Sequence, residues 1–245
     1  MAQLRKLNDQ DLGDLMALSI SANWNQVEAD WRRMLRFAPD GCFGMEEGGH
    51  IVASATIVSY GKSLAWIGMV LTLPDYRGRG FASALLRQCL NSVDVTCVKL
   101  DATDLGRPVY EKLGFVEEYV VERWRAELPD NPNQDFSIDF ELDRQAFGAD
   151  RAELLQDLGF GRPGRMASYV GPIVCRTADE ARQRVLGAGV SGPTLWDIPR
   201  PNPEAVALAT ELGFQPFRKL WRMRKGEPIQ ERPDLVYALA GFEFG

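Results

Sequence analysis

Two stretches of this 245-residue chain repeat one another. Leu100-Asp101, Leu113-Gly114-Phe115 and Arg123 are echoed by Trp196-Asp197, Leu212-Gly213-Phe214 and Arg222, with the Arg at the same distance beyond each Phe. Aligned features over roughly 25 residues point to a duplicated strand–helix–strand unit. Between the copies lies Pro129-Asp130-Asn131-Pro132-Asn133-Gln134-Asp135, whose turn-forming composition reads as a linker. The spacing predicts a first domain over 1–128, a linker over 129–136 and a shorter second domain over 137–245.

Apolar periodicity fills in the elements. Leu4–Leu7 reads as a strand. Asn8 or Asp9 can cap a helix with Leu12, Leu15, Met16 and Ile20 on its apolar face. A second helix runs from about 26 to Phe37. Strands around Phe43–Glu46 and Ile51–Ser59 flank Glu47-Gly48-Gly49, a hairpin signal. Leu64–Leu73 reads as a long strand that Pro74 stops, because proline has no N–H for the ladder. After a Gly- and Arg-rich turn comes a helix with Phe81, Leu85, Cys89 and Leu90 on one face. Val95–Leu100, a short helix near Pro108 and Phe115–Leu128 complete the first copy. In the second, Asn202 is a good N-cap, with Pro203 at the first helical position. The pattern is mixed α/β.

Composition removes several classes of function. A hydrophobic fraction of 45% and a charged fraction of 25% supply a sizeable core and exclude wholesale disorder. A net charge of −6 gives no basic surplus for nucleic acid. The apolar run Leu64–Leu73 is far shorter than the roughly 20 residues a membrane span needs, so no membrane partner is expected. The opening residues carry acids and amides where a signal peptide needs an apolar stretch, which predicts a cytoplasmic protein. Four scattered cysteines without CxxC spacing and a single histidine, His50, predict neither a disulfide framework nor a metal site.

The segment from Val70 to Ser83 carries chemistry. It reads Val70-Leu71-Thr72-Leu73-Pro74-Asp75-Tyr76-Arg77-Gly78-Arg79-Gly80-Phe81-Ala82-Ser83: a strand, a sharp turn and a helix start. The first amides of a helix lack intrahelical partners and, with the helix dipole, favour an anion. Gly78 and Gly80 allow close backbone approach, and Arg77 and Arg79 add positive charge. Such a turn suits a pyrophosphate. It is not a Walker loop, because no Lys-Ser/Thr follows the glycines, and it is not GxGxxG.

Arg77-x-x-Gly80-x-Ala82 after a strand and a proline resembles the acetyl-CoA motif of the GNAT superfamily of N-acetyltransferases. Val109-Tyr110-Glu111-Lys112-Leu113-Gly114-Phe115 resembles that superfamily's second motif. The resemblance covers residues 3–127 and implies a GNAT-like fold with acetyl-CoA as cosubstrate. It also implies that backbone groups of Val70, Leu71 and Thr72 pair with the pantetheine arm, and that the amides from Gly78 through Arg79, Gly80, Phe81 and Ala82 to Ser83 hold the pyrophosphate. Tyr110 falls where the superfamily often has its general acid. Thr103 stands where the superfamily usually has an Asn. The region from Phe140 to Gly245 resembles the C-terminal domain of a bacterial branch of tandem GNAT proteins. It has no Gly-rich loop after Ile173–Cys175. Its helix start, Thr177-Ala178-Asp179-Glu180, is a capping box whose acids would repel a pyrophosphate.

An acceptor amine attacks only when neutral. For a lysine-like pKa near 10.4, deprotonation at pH 7.4 costs roughly 4 kcal/mol. No Glu lies between Gly61 and Leu73 to act as base. Asp101, at a strand end, is the first candidate, ahead of Asp104, Glu46 and Glu28; water relay or a low-pKa acceptor needs none. The expected activity is acetyl transfer to a primary amine of a small molecule or amino-acid-like acceptor. The competing readings are a protein or peptide amine acetyltransferase and a non-catalytic acyl-CoA sensor. Duplication can replace a subunit contact, so a monomer with an internal pseudo-dimer or a homodimer is expected.

Overall fold

The structure, a computed structural model, describes all 245 residues from Met1 to Gly245. It divides into two compact units: Met1–Val98 with Phe244, and Lys99–Glu243 with Gly245.

The first unit holds β1 (Gln3–Lys6), α1 (Leu12–Ser21), α2 (Glu28–Phe37), β2 (Cys42–Glu47), β3 (His50–Tyr60), β4 (Leu64–Thr72), α3 (Phe81–Asn91) and the start of β5 (Cys97–Ala102). Strands β1, β2, β3 and β4 pair antiparallel in that order. Asn8 opens the turn into α1: its Oδ1 accepts from the Gln10 amide at 2.9 Å, and its own amide donates to Asp11 Oδ2 at 2.9 Å. The buried stripe of α1 is Leu12, Leu15 and Leu18. Ile20, expected on that stripe, is 54% exposed. At 100° per residue it lies roughly 140° round the helix from Leu15, and Leu18 takes the inward place. Trp31 on α2 is fully buried and donates its Nε1–H to Ser19 Oγ at 2.9 Å, which ties α2 to α1. The β2–β3 hairpin turns on Gly48 and Gly49, both left-handed at φ 65° and 84°, as a two-residue hairpin requires.

Strand β4 contains an extra residue. Ser54 faces Leu71 and Thr56 faces Gly68, so Met69 bulges between them with φ 49°. Its carbonyl accepts from Ser54 Oγ at 2.8 Å. A non-glycine residue in this region is strained and persists where its surroundings fix it. The bulge bends β4 immediately before Val70–Thr72.

The second unit continues β5 from Lys99 and adds α4 (Arg107–Lys112), β6 (Val116–Leu128), α5 (Phe140–Phe147), α6 (Ala152–Leu158), β7 (Gly161–Arg162), β8 (Ser168–Val170), β9 (Ile173–Val174), α7 (Ala178–Leu186), β10 (Gly192–Pro199), α8 (Pro203–Glu211), β11 (Gln215–Gly226) and β12 (Val236–Ala238). Its main sheet runs β5, β11, β6, β10, β8, β7. Strand β6 is antiparallel to both β11 and β10, and β8 is parallel to β10. The closing strands of the copies are therefore exchanged: β11 of the second copy lies between β5 and β6 of the first. Asn202 caps α8 through a 2.9 Å bond from the Ala205 amide. Trp196 packs edge-on against Phe214 at 5.1 Å and donates to the Tyr237 carbonyl at 2.7 Å, at the centre of an apolar cluster with Val185 and Leu208.

Residues 129–136 join the copies in sequence, whereas the compact units divide at Val98/Lys99. Strand exchange is the reason: once β11 lies beside β5, the end of the first copy packs with the second. The linker is itself tied down, with the Gln134 amide bonded to the Gly187 carbonyl at 2.9 Å.

Candidate active site

In the first unit, β4 delivers the chain through Pro74–Tyr76 to the start of α3. Gly78 and Gly80 are both left-handed, with φ 76° and 81°. A side-chain Cβ placed on either would meet nothing within 4 Å, so the turn faces open space. Gly80 is the N-cap of α3 and supplies no side-chain bond to the first amides; the first turn holds no acidic residue. These amides and the helix dipole form a cradle whose partners must come from outside the helix. Val70, Leu71 and Thr72 lead into it. Arg77 Nε reaches back to the Thr72 carbonyl at 3.3 Å. Phe81, Ala82 and Ser83 form the first turn of α3.

Arg79 is placed differently from a free cradle cation. Its guanidinium contacts Glu47 at 2.7 Å and stands over the rings of Tyr76 and Phe81, at 5.3 and 4.7 Å. The bond from Arg79 holds the Glu47 carboxyl below its ordinary range, and Glu47 in turn raises Arg79. Glu47, the last residue of β2, carries no sequence signal that links it to the cradle.

In the second unit, β5 passes Asp101 and Thr103 into α4, which carries Tyr110. Thr103 begins the turn: its carbonyl accepts from the Gly106 and Arg107 amides at 3.0 and 2.9 Å, and its Oγ1 accepts from Gly106 at 3.1 Å. A Cβ on Gly106 would come within 3.2 Å of Tyr110 Cε2, so this glycine lets the turn close against the ring. Tyr110 is 8% exposed and edge-on to Phe115 at 6.0 Å.

Asp101 does not stand free. Arg222 Nε and Nη2 each donate to one of its carboxylate oxygens at 2.9 Å, and the Asp101 side chain is fully buried. Arg222 also donates to Tyr119 Oη at 3.2 Å. Burial works against the Arg222 charge, yet Asp101 and Tyr119 more than offset it and raise its pKa. A guanidinium is never deprotonated at working pH, so Asp101 sits in an ion pair where a base would need open lone pairs. This departs from the expectation of Asp101 as a free base, and the reason lies in the other copy, on β11. Asp104 is likewise engaged, accepting from Trp221 Nε1 at 2.8 Å.

The second copy ends its corresponding β-strand in a capped helix. Thr177 Oγ1 accepts from the Glu180 amide at 3.3 Å, and Glu180 Oε2 accepts from the Arg176 amide at 3.1 Å. Asp179 and Glu180 occupy its first turn. This N-terminus is satisfied and negative where that of α3 is open. Nearby, Arg151 and Asp143 form a buried two-pronged pair at 2.8 and 2.9 Å, while Arg144 turns outward to Glu141. His50 is exposed, 3.2 Å from Asp14. No group of three or more His, Cys, Asp or Glu side chains is placed to hold a metal ion.

Family profiles match both copies: the acetyltransferase (GNAT) family over residues 9–115 and an acetyltransferase (GNAT) domain over residues 158–238. The chain belongs to the GNAT acetyltransferase family. As a GNAT protein it is of the tandem kind, with one copy in each part of the sequence. It is 28% identical to the uncharacterised N-acetyltransferase YitH of Bacillus subtilis (strain 168), across 86% of this chain and 87% of that one. It is 22% identical to a holothin acyltransferase of Pseudoalteromonas sp. (strain SANK 73390), across 93% and 89%. A crystal structure from Pyrococcus horikoshii, assigned to the acetyltransferases, superposes with a TM-score of 0.86 at 25% identity, across 100% of this chain and 96% of that one.

Proposed function

We propose that this GNAT protein transfers the acetyl group of acetyl-CoA to a primary amine of a small molecule, with only the N-terminal copy binding CoA. One observation carries the reading: α3 begins at two left-handed glycines, with no cap side chain and no acid in its first turn, while α7 is capped and acidic. Acetyl-CoA supplies an activated thioester. The amides from Gly78 to Ser83 would take its diphosphate, and backbone groups of Val70–Thr72 its pantetheine arm. Tyr110 would give its proton to the departing thiolate, and Thr103 holds the turn that packs on the Tyr110 ring.

With Asp101 paired to Arg222, the reading favours an acceptor whose amine is already neutral near pH 7, or one deprotonated through water. The relative named as a holothin acyltransferase is named for one compound, which favours a small-molecule acceptor over a protein amine. The engaged Asp101 also keeps a second reading open, an acyl-CoA sensor without turnover.

Calorimetry with CoA and acetyl-CoA on wild type and Gly80→Glu tests the proposal, followed by a primary-amine panel with thiol release as readout. One equivalent per chain, lost in Gly80→Glu, together with turnover, is the expected result. Binding without turnover of any amine selects the sensor. Two equivalents overturn the assignment to one copy, and no binding overturns the proposal.

A further inference from the structure

Strand β11 grips the segment that carries Tyr110 at three points. Arg222 holds Asp101 at the end of β5. Trp221 Nε1 donates to Asp104 Oδ1 at 2.8 Å, in the turn before α4. Lys225 Nζ donates to the Leu113 carbonyl at 2.8 Å, just past the last turn of α4. The Trp221 ring also meets two cations, with the Arg107 guanidinium 4.9 Å and the Lys219 ammonium 3.7 Å from its centroid. Both ends of the Asp101–Leu113 segment are thus fixed by residues of the other copy.

The internal duplication supplies a control within the same molecule. In the reverse direction Arg123 grips Asp197 at 2.7 Å through two bonds, and Glu122 meets Arg200 at 3.4 Å. These are the counterparts of Arg222–Asp101 and Trp221–Asp104, counted from the echoed Asp and Phe residues. The third grip has no counterpart. Ala126 stands where Lys225 would, and it has no donor for the carbonyl of Leu212. Counting back from Leu-Gly-Phe, the position of Tyr110 is taken in the second copy by Ala209, which is fully buried. The copy whose helix carries a tyrosine receives three grips; the copy with alanine there receives two.

We infer that Trp221 and Lys225 are positioning residues for Tyr110, so that the C-terminal copy, without binding CoA, fixes the acid of the N-terminal copy. This rests on the reading of Tyr110 as general acid. Acid catalysis needs the donor within hydrogen-bond reach of its target, and a misplacement of about 1 Å can cost on the order of 100-fold.

The test uses the full chain with Lys225→Met and Trp221→Phe, which remove one donor each and spare the buried Asp101–Arg222 pair. Three measurements are made: amide exchange over residues 103–113, acetyl-CoA affinity by calorimetry, and kcat and KM for the amine that the wild type turns over. We expect faster exchange in that segment, acetyl-CoA affinity within about twofold, an unchanged KM, and kcat lowered about tenfold by the pair of changes together. Lys225→Arg should restore kcat. In a Tyr110→Phe background Lys225→Met should lower kcat no further, because the two changes act through one group. Unchanged exchange overturns the inference. Faster exchange with unchanged kcat, or an equal loss of kcat in the Tyr110→Phe background, overturns it as well. Wild-type protein that binds acetyl-CoA yet turns over no amine overturns the acetyltransferase reading and the catalytic role inferred here with it; amide exchange then still decides whether β11 orders the segment.

Discussion

Arg222 and Asp101 stand 121 residues apart in sequence and form a two-pronged bond at 2.9 Å in which both side chains are almost wholly buried. The Arg comes from one copy of the duplicated unit and the Asp from the other. Arg123 and Asp197 make the same bond in the opposite direction, at 2.7 Å. Each copy therefore neutralises a charge that its twin buries.

Breaking either pair on one side should be costly. Asp197→Ala leaves Arg123 buried without its carboxylate, and a loss of about 3–5 kcal/mol is expected in urea unfolding. The double replacement Asp197→Leu with Arg123→Met removes both charges and should cost much less than the single change. A double variant as unstable as Asp197→Ala would mean that packing, and not the stranded charge, carries the effect.

Glu47 restrains the cradle. Its pair with Arg79 is half-exposed, and such pairs contribute little to stability. Glu47→Gln should therefore leave the melting temperature nearly unchanged. It frees a guanidinium and removes a negative charge beside the proposed diphosphate site, so CoA should bind about threefold more tightly at low salt, with the gain shrinking as salt rises. Calorimetry at two salt concentrations checks this; weaker binding would mean that Glu47 contacts the ligand or orders the loop.

Tyr110→Phe should lower kcat at least about tenfold, a floor set below the roughly 10²–10⁴-fold that a positioned general acid typically supplies. CoA affinity should stay close to that of wild type, since the hydroxyl is asked to act only on the leaving thiolate. Turnover equal to wild type would remove Tyr110 from the chemistry.

All four cysteines are buried and none forms a disulfide. Burial pushes the Cys42 thiol up to about 12 and Cys175 to about 11. A raised thiol value means less thiolate at any given pH. At pH 8 Cys42 would be ionised to roughly one part in ten thousand and Cys175 to one part in a thousand. A thiol-alkylating reagent at pH 8 should leave the native protein unmodified and label every cysteine in denaturant. Rapid labelling of any one in the native state would show local opening there.

The sequence made the local devices legible. The Gly-Gly hairpin, the Asn202 cap, the cradle glycines and the Thr177 cap each need only neighbouring residues, and each is found where its pattern predicts; of the box expected at Thr177 only the Thr177 bond forms, because Glu180 accepts from the Arg176 amide instead. Ile20 lies off the buried face because Leu18 continues the stripe of Leu12 and Leu15 round α1. The Asp and Arg of the echo were visible as equivalent positions, but their spacing does not say which Arg meets which Asp. That depends on β11 entering beside β5, a long-range pairing with no local signature. The same pairing moves the compact-unit boundary to Val98/Lys99 and takes Asp101 out of use as a free base. Trp221 and Lys225 carry no local signal for a related reason: their partners lie in the other copy.

The exchange of closing strands also sets a timetable. As the chain leaves the ribosome, β5 and β6 are made long before β11, and the place between them must wait until the second copy has been synthesised through β11. Until then both strands carry open backbone edges, the kind of surface on which other chains add. A message truncated anywhere before Gln215 would release a product that is unfinished in both copies at once.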